Sequence, residues 1–125
     1  MAYISSKVIR IPSADISIGS ANPINLSSSY GLPDSFRLYG VIVSGAIIFG
    51  QYIECKVVFY DGEDDSKDII SLSVGNGGFG DSNGSSCLFM EDNSYIKIDK
   101  SLFVYFDSSG TKKAGRDMNI TVLYQ

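Results

Sequence analysis

The chemistry open to this chain is bounded first by a missing residue: its 125 positions contain no histidine. That removes the Ser-His-Asp and Cys-His nucleophile systems, the imidazole general base and most zinc sites. Two cysteines, Cys55 and Cys87, are too few to hold a structural zinc on their own. Cys55 alternates with Ile53, Val57 and Phe59, so it shares their apolar face and reads as a buried, reduced thiol. A Cys55–Cys87 disulfide is the alternative. Carboxylates remain as acid–base candidates: Glu54, Glu63, Asp64, Asp65, Glu91 and Asp92. Most lie in polar, turn-like clusters, where solvated surface charge is the simpler reading.

Two loops invite motif readings. Gly75–Ser86 carries five glycines in its first ten residues. It has no Gly-Lys-Ser/Thr and no following helix, so it is not a phosphate loop. Its Gly77-Gly78-Phe79-Gly80-Asp81 places the aspartate one residue early for a calcium-binding nonapeptide and does not repeat. Asp61-Gly62-Glu63-Asp64-Asp65, with Asp68 beyond, is the densest acidic cluster. It lacks EF-hand spacing and reads as a charged hairpin tip that discourages edge-to-edge pairing. No enzyme activity and no cofactor are expected.

The elements that must carry these residues are strands. No long segment shows helical spacing of apolar residues. Short β-branched and aromatic runs alternate with Gly, Pro, Asn, Asp and Ser. Strands are predicted near Lys7–Ile11, Asp15–Gly19, Phe36–Ser44, Ala46–Phe49, Tyr52–Tyr60, Ile69–Val74, Cys87–Met90, Ser94–Ile98, Leu102–Phe106 and Met118–Tyr124. The fold class expected is all-β: one antiparallel β-sandwich domain over residues 1–125, jelly-roll-like, with about eight to ten short strands and little or no helix.

Several strands are apolar on both faces. Leu102, Val104 and Phe106 oppose Phe103 and Tyr105. Ile53, Cys55, Val57 and Phe59 oppose Tyr52, Glu54, Lys56, Val58 and Tyr60. Phe36–Val43 is similar. A sheet that is apolar on both sides must bury both. The outer face of one sheet is therefore expected to be an oligomer or docking interface, with Phe103, Tyr105, Tyr52 and Tyr60 as its candidate residues. The alternative is that these are scattered surface aromatics.

Composition narrows the partners. The net charge is −4, which disfavours nucleic acid and anionic membrane surfaces. No apolar stretch reaches membrane-helix length. The N-terminus lacks the pattern of a secretory signal, so synthesis in the cytoplasm is expected.

Two stretches frame the chain. Ser6-Lys7-Val8-Ile9-Arg10-Ile11-Pro12-Ser13-Ala14-Asp15-Ile16, followed by Asn22-Pro23-Ile24-Asn25-Leu26, resembles the opening of small tailed-bacteriophage virion structural proteins. The ending, Ala114-Gly115-Arg116-Asp117-Met118-Asn119-Ile120-Thr121-Val122-Leu123-Tyr124, resembles their closing glycine–aspartate loop and last strand. Here Ala114 stands for the first glycine, and Arg116 separates Gly115 from Asp117. Together the two stretches cover about a quarter of the chain.

The resemblance implies a β-sandwich or jelly-roll protein of the virion: a capsid decoration protein, a head fibre or a tail-associated binding domain. It transfers no catalytic residue. Its expected partners are other virion proteins of capsid or tail, with assembly as a homotrimer or on a symmetric lattice. The competing reading is a carbohydrate- or receptor-binding module that meets a host-surface glycan. Phe79 and Asp81 in the glycine-rich loop, and Tyr95 beside Asn93, are its candidate ligand residues.

Overall fold

The computed structural model describes residues 3–17, 19, 22–44, 54–62, 68–75, 85–91, 94–108 and 117–125. The expected strands at Ala46–Phe49 and the start of Tyr52–Tyr60 lie outside them. So do the glycine-rich loop and most of the acidic hairpin tip.

Among the described residues nine strands run in order: β1 (Ser5–Ile11), β2 (Ile24–Asn25), β3 (Phe36–Ser44), β4 (Glu54–Asp61), β5 (Asp68–Gly75), β6 (Ser85–Phe89), β7 (Ile96–Ile98), β8 (Leu102–Ser108) and β9 (Met118–Tyr124). They form two antiparallel sheets. The first is ordered β1-β9-β3-β6, and β7 pairs with β3 beyond the end of β6. The second is ordered β2-β8-β4-β5. β4 and β5 form a hairpin within the second sheet, as the acidic tip implies. Every other connection crosses between sheets, except the step from β6 to β7 along one edge. Counting β6 and β7 as one interrupted strand leaves four strands per sheet. That order, with nearly all connections crossing, is the jelly roll.

The core between the sheets follows the period-two alternation. From the first sheet come Ile9, Ile11, Phe36, Leu38, Val41, Val43, Met118, Ile120 and Val122. From the second come Val57, Phe59, Ile70, Leu72, Leu102, Val104 and Phe106. Opposed residues share a face: Val41 pairs with Val122 and Phe59 with Val104. A register shift between Leu38 and Gly40 lets Phe36 and Leu38 stay inward across the bulge.

Two local elements depart from expectation. No strand is assigned over Asp15–Gly19 among the described residues, and Ile18 lies outside them. Ser13–Asp15 is a 3₁₀ turn, closed by the Asp15 N–H donating to the Pro12 carbonyl at 2.9 Å. Downstream, the Gly19 N–H donates to the Phe106 carbonyl at 2.7 Å. One short helix, α1 (Leu26–Tyr30), follows β2 directly. Asn25 caps it, its Oδ1 accepting from the N–H groups of Ser27 (2.8 Å) and Ser28 (3.0 Å). Gly31 ends it at φ 81°, a left-handed conformation that glycine adopts without a Cβ penalty.

A buried polar relay fixes α1 to the start of β8. The Ser27 hydroxyl donates to the Pro33 carbonyl at 2.8 Å, and the Ser101 hydroxyl donates to Asp34 Oδ1 at 2.7 Å. The Ser101 N–H donates to the Asp34 carbonyl at 2.7 Å. These bonds hold Ser101 at φ 86°, an uncommon angle for a residue with a side chain.

Candidate functional site

Asp61, the first residue of the acidic cluster, is already committed. Its two oxygens accept the N–H groups of Asp99 (3.0 Å) and Lys100 (2.7 Å). It caps the β7–β8 turn and offers little to a cation. Glu63, Asp64 and Asp65 lie outside the described residues.

The sequence-predicted docking residues separate. Tyr60 and Phe103 oppose each other on the outer face of the second sheet, as alternation requires. Their rings stack with centroids 5.6 Å apart, and Tyr105 lies 5.8 Å from Tyr60. Yet Tyr60 is 0% exposed and Phe103 only 7%. Val58 on the same face is buried too. The chain covers these groups itself, so in this conformation Tyr60 and Phe103 present no docking surface. The expectation that both faces must be buried was physically sound; the cover is internal. Tyr105 is half-buried, and Tyr52 lies outside the described residues.

The open apolar face belongs to the first sheet. Across its outer side Leu123 and Phe89 both oppose Gly40, and Thr121 opposes both Val8 and Ile42. Val8 is 68% exposed and Phe89 54%. Gly40 is what lets this surface lie flat. A Cβ there would sit 2.9 Å from the Leu88 carbonyl oxygen and 3.0 Å from the Phe89 ring. In sequence this face is hard to see, because Val8, Ile42, Phe89 and Leu123 come from four separate segments.

Tyr95 is 44% exposed at the end of this face. Arg37 lies over its ring at 4.9 Å and Tyr39 packs 5.8 Å away. The Tyr39 hydroxyl donates to Gln125 Oε1 at 2.8 Å. The ring face a sugar would stack on is thus partly taken by Arg37. Phe79, Asp81 and Asn93, its companions in the ligand-loop reading, lie outside the described residues. At the opposite corner Arg10 pairs with Asp117 at 2.6 Å on the surface, a contact of little energetic weight.

A groove of about 600 Å³ opens beside β2 and α1, lined by Asp15, Pro23, Ile24, Asn25, Ser29, Tyr30 and Phe103. No sequence motif marks it, because its walls come from segments far apart in the chain, Asp15 to Tyr30 and Phe103. The Tyr30 phenol has its pKa raised, first by burial and then by the negative charge of Asp15.

No protein-family model matches the chain, and no curated protein does. Among solved structures it is similar to a protein of the T13 IBDV viral particle, with a TM-score of 0.37 and 16% identity. The match covers 94% of this chain and 31% of that one, so the chain spans about a third of that protein's length. A likeness this loose carries no functional weight.

Proposed function

We propose that this chain is a non-catalytic structural protein of a bacteriophage virion, docked on capsid or tail proteins through the outer face of its first sheet. One observation carries the reading: Val8 and Phe89 are exposed, with half-buried Ile42 and Leu123 between them, while the chain buries Val58, Tyr60 and Phe103 on the outer face of its second sheet. An exposed face of this kind marks an interaction surface. Tyr39, Tyr95 and Arg37 at its margin suit a protein interface, where aromatic residues and arginine are enriched. The jelly roll is an architecture shared by viral capsid domains and lectins, so it agrees with the reading without selecting it. The lack of histidine supports a presenting role over a catalytic one. The docked interface should bury on the order of 1,000 Å² or more.

The test is whether the chain is found in purified particles and whether Phe89→Asp removes it. The reading requires the wild-type chain to co-purify with particles and the variant, still folded, to be lost from them. A folded Phe89→Asp chain retained at wild-type level would contradict it. Light scattering after size exclusion then separates a homotrimer from a singly docked monomer.

A further inference from the structure

The polar side chains of the molecule fall into two groups, and the difference between them points to a ligand. Those around the start of β8 are spent on internal bonds: Ser27 on Pro33, Ser101 on Asp34 and, from the end of β4, Asp61 on the backbone of Asp99 and Lys100. Those lining the groove are not. Among the described residues, no side-chain hydrogen bond ties up the exposed Asp15 carboxylate, the exposed Ser29 hydroxyl or the half-buried Tyr30 phenol, which are left to solvent or a ligand. Asn25 gives only its Oδ1 to the helix, which leaves its amide nitrogen to donate.

We infer that this groove binds a short, uncharged saccharide. Four groups of mixed polarity converge there: a carboxylate that accepts, an amide that donates, and two hydroxyls that do both. That set matches a ligand whose every hydroxyl is both donor and acceptor. Ile24, Pro23 and the buried Phe103 supply an apolar wall for the C–H face of a sugar ring. The groove, about 600 Å³ and open to solvent along one side, has room for a short saccharide. Charge excludes anionic ligands, because Asp15 is the one charged residue in the lining and no Lys or Arg faces it there. The site lies against the second sheet, away from the open face of the first, so it does not depend on the virion reading.

The test is a panel of neutral glycans spanning hexoses, N-acetylhexosamines and deoxyhexoses, followed by NMR titration of the full chain with each that binds. Glycerol and 3′-sialyllactose serve as controls. The amide signals of Asp15, Ile24, Ser29 and Tyr30 should shift and saturate with at least one neutral glycan and not with glycerol. Asp15→Asn and Tyr30→Phe should each weaken that binding about tenfold or more, with the folded spectrum preserved. Binding to no glycan on the panel overturns the inference. So do saturable shifts centred on Tyr39 and Tyr95, or binding of 3′-sialyllactose as tight as that of its neutral parent. Both groove variants should still co-purify with particles, so failure here is distinguishable from failure of the docking reading.

Discussion

The two sheets of this molecule share one core and have opposite fates for their outer faces. On the second, Val58, Tyr60 and Phe103 are sealed by the chain itself. On the first, Val8, Phe89 and Tyr95 face solvent. An apolar outer face is thus not in itself an interface. It can serve as one only where the chain leaves it open, and alternation in sequence cannot tell these cases apart.

Substitutions should sort by face. Tyr60→Ala should have the largest effect on stability, about 3–5 kcal/mol, because it empties a fully buried aromatic site. A urea melt measures it, and a loss below about 1 kcal/mol would mean Tyr60 is not enclosed. Gly40→Ala should cost about 1–3 kcal/mol by forcing β3 and β6 apart, since the contacting Leu88 oxygen is backbone and yields little. Asn25→Ala should cost about 1 kcal/mol through loss of the helix cap. Phe89→Asp should change stability by only about 0.5 kcal/mol while abolishing docking. That pairing, stable but undocked, is the sharpest contrast with Tyr60→Ala.

The smallest effect concerns pH. Tyr30 has a folded pKa raised above its unfolded value, so the neutral phenol is favoured in the native state. Its contribution to stability is full below the unfolded value, about 10, and is lost as pH rises through the folded one. Tyr30→Phe should therefore flatten the alkaline limb of the stability profile slightly, and leave the acid limb unchanged.

Much of the scaffold was legible in the sequence. β3 and β9 begin and end where predicted, because both are central strands whose inward residues are uniformly apolar. α1 escaped because five residues are too few to show helical periodicity. Its signals were local instead: Asn25 before it and Gly31 after it. Asp15–Gly19 was misread because Ile16 and Ile18 alternate with polar residues, while the Pro12 carbonyl closes a tight turn that alternation does not register. The candidate sites were less legible. The open face is assembled from β1, β3, β6 and β9, and the groove from residues near both ends of the chain. Both depend on the jelly-roll crossing order, which brings distant segments side by side.

The most direct test of the two-face account is hydrogen exchange on the free chain and on the chain in purified particles. The account predicts new protection in β6 around Phe89, in β1 around Val8 and at Tyr95, with β4 and β8 around Tyr60 and Phe103 unchanged between states. New protection confined to β4 and β8, or none anywhere, would contradict it.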